Sequence, residues 1–171
     1  IQLNKERALD NVKLMMPKEK YFTTGKNSID LKREIIYPKN AKKMNVVLVL
    51  MESMGARFLD SYGNADHLTP NLDSLASKGL FFNNIYATGT RTVRGIEAIT
   101  LSIPPTPGQS IVRRPNNEKL VTINSYFAQA GYDVDFLYGG YSYFDNMKYY
   151  FENNNAKVLD ISNISKADIN F

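Results

Sequence analysis

Two short stretches carry side chains whose types and spacing suit chemistry at a phosphoryl or sulfuryl centre. In "MNVVLVLMESMG", an apolar run ends directly in a carboxylate, Glu52, followed by Ser53, Met54 and Gly55. A carboxylate at the end of a run that reads as a buried strand is costly unless a cation or a hydrogen-bond donor meets it. In "YATGTRTVRGIEA", Gly89 lets the chain turn sharply, and Thr90, Arg91 and Thr92 then open a helical pattern. A helix start presents free N–H groups and a partial positive charge, which suits an anion. A hydroxyl held there loses its proton more easily beside a divalent cation. Arg91 and Arg94 stand close by in sequence to hold phosphoryl or sulfuryl oxygens.

Each feature has a plainer role on its own. Thr90 or Thr92 would serve as a helix N-cap, and Glu52 would offset a helix dipole or sit in a surface ion pair. Taken together they supply a hard oxygen ligand and a hydroxyl at one sheet edge, which is what a metal-activated threonine needs.

The elements that must position them follow from the pattern of apolar residues. "NKERALDNVKLMM" has helical spacing through Leu3, Leu9, Val12 and Met16, and Pro17 ends it. Residues 1–44 read as a lead-in or linker, and 45–171 as the folded part. "NVVLVLM" reads as a strand covered on both faces, and "LFFNNIYA" as a second strand. "TPNLDSLASKG" predicts a helix with Thr69 as N-cap, Pro70 at its first position and Gly79 as its stop. "RTVRGIEAITLSI" predicts a helix ended by Pro104 and Pro105, and "LVTINSYFAQAG" one stopped by Gly131. "YDVDFLYGG" and "AKVLD" predict strands on either side of a helix over "YFDNMKYYFENN". Strands alternating with helices predict an α/β layered fold with a mainly parallel sheet. Ligands bind such sheets beyond the carboxyl ends of the strands, where Glu52, Thr88–Thr92 and Gly139–Gly140 are expected to converge.

Composition narrows the classes. The chain has 171 residues, 43% hydrophobic and 22% charged, as a globular protein has. Its net charge of +4 comes from scattered basic residues, which gives no case for nucleic acid. There is no cysteine, so disulfides, thiolate catalysis and cysteine-bound zinc are excluded. No apolar run reaches the roughly 18 residues of a membrane span. Phe136, Phe144 and Phe151 read as core, while Tyr141 and Tyr143 are open between core and a stacking surface. The loop "PPTPGQSIVRRP", with Arg113–Arg114, reads equally as a functional rim or a solvated connection. His67 lies in a loop and reads as solvated.

"VVLVLMESMG", "LTPNLDSLASKGLFFNNIYATGTRTVRG" and "GYDVDFLYGG" resemble the alkaline-phosphatase-like superfamily. More closely they are similar to its sulfatase-like lipoteichoic acid synthase and phosphoethanolamine transferase branch. The resemblance spans about Asn45 to Asp160 and implies an α/β domain of which this chain is an N-terminal portion, inactive by itself. It implies that Glu52 is a metal ligand and that Thr92, second threonine of Gly89-Thr90-Arg91-Thr92, is both nucleophile and metal ligand. The metal would be Mn, Mg or Zn. True sulfatases carry a Cys-x-Pro-x-Arg motif, absent here, so the resemblance implies a phosphotransferase. Thr92 would take the head group of a phospholipid donor, phosphoglycerol or phosphoethanolamine, and pass it to a glycan or lipid acceptor. Arg91 and Arg94 would steady non-bridging oxygens. The family's downstream Asp-His metal ligands have no match in this sequence. Asp145 falls where lipoteichoic acid synthases contact the head group, and reads either as a substrate contact or as a helix N-cap. The resemblance also implies a membrane protein with upstream helices outside this sequence and a catalytic domain on the extracytoplasmic side. A sulfatase-like hydrolase or phosphodiesterase of the same fold is the closest alternative. A non-enzymatic nucleotide-binding module is the other, although "TGTRTVRG" matches neither G-x-G-x-x-G nor G-x-x-x-x-G-K-[ST].

Overall fold

A computed structural model describes residues 7, 22–24, 33–35 and 42–165. The chain divides into two compact units, 1–50 and 51–171. In the first, strand β1 (Phe22–Thr24) pairs antiparallel with β2 (Arg33–Ile35), Thr23 standing opposite Glu34. No strand pair was expected in this lead-in. Arg7 is helical; the rest of the helix expected over residues 4–16 lies outside the described residues.

The second unit is α/β. Helix α1 (Pro70–Lys78) starts at Thr69 and stops at Gly79, as the sequence predicts. Helix α2 (Thr92–Leu101) presents Val93, Ile96, Glu97 and Thr100 to the interior, an i, i+3, i+4, i+7 face. Helix α3 (Ile123–Gln129) opens on a reciprocal cap: Thr122 accepts from the Ser125 N–H, and the Ser125 hydroxyl accepts from the Thr122 N–H. Strand β3 (Asp135–Leu137), helix α4 (Met147–Glu152) and strand β4 (Lys157–Leu159) form a βαβ unit, with β3 and β4 parallel and Phe136 opposite Val158.

Val93 and Ile96 of α2, Val112, and Met147, Tyr150 and Phe151 of α4 make the core with Ala156 and Val158. The Phe136 ring stacks on Phe151 at 3.7 Å between centroids. Asn154, fully buried, ties the end of α4 to the loop that precedes α3. Its amide donates to the Asn117 and Tyr150 carbonyls and accepts from the Leu120 N–H.

Three expectations are corrected. The runs Asn45–Met51 and Leu80–Ala87 are not strands, and their side chains are exposed, Val47 by 86% and Leu80 by 84%. A strand persists only where neighbours take up its N–H and C=O groups, and no described segment pairs with either run. Phe144 is also exposed rather than core. It stands in a single 3-10 turn (Phe144–Asn146) in which Asp145 and Asn146 are left-handed, with φ of 54° and 63°. That break shifts the helical phase, so Phe144 does not share the face of Tyr150 and Phe151. Among the described residues no helix is long and apolar enough to cross a membrane.

Candidate active site

Glu52 and Thr92, forty positions apart, meet. The Thr92 hydroxyl donates to Glu52 Oε2 at 2.6 Å, a length typical of a hydroxyl bound to an ionised carboxylate. Thr92 is the first residue of α2, and Arg91 is its N-cap, with no side-chain cap bond. The Thr92 hydroxyl therefore does not cap the helix; its hydrogen bond goes to the carboxylate. Both residues are exposed, so a substrate has access to them, and Glu52 does not carry the desolvation cost expected of a buried strand end.

The backbone on either side is shaped for this meeting. Ser53, directly after Glu52, is left-handed at φ 55°, a conformation that costs a non-glycine residue about 1 kcal/mol. Its hydroxyl lies 3.4 Å from Glu52 Oε1. On the other side, Gly89 passes so close to α2 that a Cβ there would lie 2.7 Å from Arg94 Cβ. Only glycine allows that approach.

The other expected site residues differ in their surroundings. Arg91 is exposed at the helix start. Arg94 turns into the protein: its guanidinium donates to Glu97 Oε1 at 2.7 Å, to the Thr106 carbonyl at 3.0 Å and to the Gly108 carbonyl. Asp145 pairs with Arg113 at 3.4 Å. It is not at the N-cap position of α4, which Asn146 occupies without a side-chain cap bond. Gly140 gives its carbonyl to the Ile161 N–H. His67 is exposed but not without a partner: its Nδ1 lies 2.6 Å from Asp60, which pushes the imidazole pKa up. Tyr141 and Tyr143 are exposed and stack on each other.

Sequence reasoning missed Glu97. It is fully buried, and its Oε2 accepts from the Ser110 hydroxyl at 2.7 Å and the Ile111 N–H at 2.6 Å. Burial opposes its ionisation, but Ser110, Arg94 and the Ile111 N–H outweigh that and hold its carboxyl below the ordinary value. The loop 104–114 is thus fastened to α2 and is not a loose solvated connection. An acid on the buried face of α2 with an arginine three residues before it was the available signal.

The Glu52 carboxylate and the Thr92 hydroxyl, side by side and exposed, would offer two hard oxygen donors to a divalent cation. Glu52 and Thr92 fit as two members of its coordination shell and not as all of it. Among the described residues no three His, Cys, Asp or Glu side chains gather to hold a metal.

The sulfatase family model matches residues 44–170, most of the chain. The chain belongs to the sulfatase family. It is similar to an N-acetylgalactosamine-6-O-sulfatase of Bacteroides thetaiotaomicron, 27% identical over 100 residues, which are 55% of this chain and 20% of that protein. A 43-residue stretch is 46% identical to human N-acetylgalactosamine-6-sulfatase, covering 25% of this chain and 8% of that one. The crystal structure of an alkaline phosphatase superfamily protein from Vibrio parahaemolyticus matches with a TM-score of 0.62 and 41% identity, over 67% of this chain and 28% of that one. The chain therefore spans a fifth or less of these curated relatives and about a quarter of the solved one. Family and fold together support an enzyme over a nucleotide-binding module. The curated relatives are named sulfatases, and members of the sulfatase family generally depend on a divalent metal.

Proposed function

We propose that this sulfatase-family chain carries the nucleophile of a phosphoester-cleaving hydrolase, with Thr92 as the group that takes up phosphorus. The observation that supports this reading is the Thr92 hydroxyl donating to Glu52 at 2.6 Å in a protein without cysteine. Formylglycine, the sulfatase nucleophile, is an aldehyde made by oxidising a β-carbon that carries no methyl group. Threonine's β-carbon carries one, so the same oxidation yields a ketone. A phosphorylated threonine needs no such conversion.

In the first step Thr92 Oγ attacks phosphorus and its proton passes to Glu52 along the existing hydrogen bond. The bond from phosphorus to the leaving oxygen breaks, the alkoxide leaves with the proton Glu52 took up, and a phospho-threonine ester remains. In the second step water gives a proton to Glu52 and attacks phosphorus, the bond to Thr92 Oγ breaks, and Glu52 returns that proton to the Thr92 oxygen, restoring the hydroxyl. Arg91, exposed at the start of α2, would meet non-bridging oxygens. Glu52 and Thr92 would hold the divalent cation, which when bound supplies charge stabilisation and a lowered hydroxyl pKa.

Within the superfamily, Gly89-Thr90-Arg91-Thr92 supports kinship with the branch that transfers phosphoglycerol or phosphoethanolamine. In that variant an alcohol takes the place of water in the second step. A phospholipid donor, a glycan or lipid acceptor and an extracytoplasmic membrane setting rest on that resemblance alone.

The test is a trap. The protein is incubated with bis(p-nitrophenyl) phosphate and divalent metal, quenched in acid and digested. The peptide holding Thr92 should gain one p-nitrophenyl-phosphoryl group, and Thr92→Val should gain none. Turnover by Thr92→Val, or labelling at another residue, refutes the reading. Adding glycerol separates the variants: glyceryl ester as the main product means transfer, and p-nitrophenyl phosphate means hydrolysis.

A further inference from the structure

Arg94 lies two residues beyond Thr92, where a substrate contact would be expected, yet its charge faces inward. The guanidinium is held by Glu97, itself fully buried, and by the Thr106 and Gly108 carbonyls. The Arg94 side chain is only 17% exposed. Its aliphatic stem forms the surface on which the Gly89 turn rests: a Cβ on Gly89 would meet Arg94 Cβ at 2.7 Å, Arg94 Cγ at 3.2 Å and Pro105 Cγ at 3.6 Å. The Arg91 carbonyl, between turn and helix, accepts from the Arg94 N–H at 2.9 Å. The turn that delivers Thr92 is therefore packed between one immobilised side chain and the loop that side chain pins.

We infer that Arg94 is a positioning residue for Thr92, fixed by Glu97, and takes no part in binding substrate. With its head clamped at three points, its stem cannot give way, and the Gly89–Thr92 turn has one seat. That seat sets the Thr92 hydroxyl against Glu52. Loosening the clamp, or adding a methyl group at Gly89, moves the hydroxyl without touching the surface a substrate meets. A displacement near 1 Å costs on the order of 100-fold in rate when the reacting atoms must be aligned.

This inference rests on Thr92 being the nucleophile only for its kinetic consequence; the geometric consequence stands without it. Three variants are made in the full chain: Gly89→Ala, Arg94→Lys and Glu97→Gln. The first readout is the distance from Thr92 Oγ to Glu52 in crystal structures of the variants. Gly89→Ala, which removes no buried bond, should open it from 2.6 Å to beyond hydrogen-bonding range, about 3.5 Å. An unchanged distance in Gly89→Ala overturns the inference whether or not the protein turns over any substrate. The second readout is kinetics on bis(p-nitrophenyl) phosphate. All three variants should lose kcat about 10- to 100-fold with KM within about twofold, and Arg94→Lys, which retains a charge for Glu97, should lose least. A rise in KM confined to Arg94→Lys, with Gly89→Ala and Glu97→Gln at parental kcat, would make Arg94 a substrate contact and sink the idea. If the parent protein is inactive while the distance opens as expected, the functional reading fails and the positioning inference survives.

Discussion

Replacing Glu97 by leucine asks how much of the domain hangs on one buried carboxylate. Glu97 is 0% exposed and accepts three hydrogen bonds, from Arg94, the Ser110 hydroxyl and the Ile111 N–H. The Ser110 hydroxyl also reaches the Val93 carbonyl at 3.0 Å, so its loss is small. The Ile111 N–H loses its acceptor, which costs about 2 kcal/mol for a shielded donor. Arg94 loses its counter-charge but keeps two carbonyls and some contact with water. Removing one partner of a fully buried pair costs about 3–5 kcal/mol; for this partly solvated arginine about 2 kcal/mol is the fitting figure. Against the resulting loss of about 4 kcal/mol, the leucine buries apolar surface worth about 2 kcal/mol. Glu97→Leu should therefore destabilise by about 2 kcal/mol, read from the urea midpoint at constant slope. The double variant Arg94→Met/Glu97→Leu removes the stranded charge as well. It should be no less stable than Glu97→Leu alone, because a well-packed apolar pair replaces an ion pair at little cost. A Glu97→Leu effect under about 0.5 kcal/mol, or a double variant much weaker than the single, refutes the reasoning.

Two further outcomes follow from buried polar groups. Asp160 accepts from the Ser142 hydroxyl and N–H and from the Ser162 hydroxyl and N–H; the Ser142 hydroxyl leads in holding its carboxyl well below the ordinary carboxylate range. A folded-state pKa below the unfolded one stabilises at pH above about 3.9 and is lost as pH falls further. Acid unfolding followed by circular dichroism should thus begin at higher pH in the parent than in Asp160→Asn, measured relative to each protein's stability at pH 7. Tyr150 is fully buried and its hydroxyl lies 2.6 Å from Thr100 Oγ1, which itself donates to the Ile96 carbonyl. Tyr150→Phe leaves that donor bond intact, so it should cost only about 1 kcal/mol in urea unfolding.

The helices were legible because their signals are local. Thr69-Pro70 and Gly79 bracket α1, Thr122 and Ser125 cap α3, and the apolar spacing of α2 marks its buried face. The βαβ unit was legible because β3 and β4 are neighbours joined by α4, so each strand's partner lies within twenty-odd residues. The runs before Glu52 and after Gly79 have the composition of buried strands, but composition does not supply a partner, and a strand without one leaves its backbone unpaired. Phe144 was misplaced because residues 145 and 146 are left-handed, and periodicity assumes a continuous helix. Arg94 was read by its distance from Thr92 along the chain; its true partner, Glu97, is one turn further along α2, on the side that faces inward.

The meeting of Glu52 and Thr92 stands on more than one distance. Ser53 adopts a conformation that β-carbon-bearing residues avoid. Gly89 occupies a gap too narrow for any side chain. Thr92 opens a helix without spending its hydroxyl on a free backbone N–H, although threonine does so readily one position earlier. None of these choices favours local stability. Ser53 directly follows Glu52, Gly89 stands three residues before Thr92, and the third is Thr92 itself. The nucleophile role proposed for Thr92 accounts for these three features together. A Thr92 that merely began a helix would need neither the glycine before it nor the carboxylate brought from forty residues away.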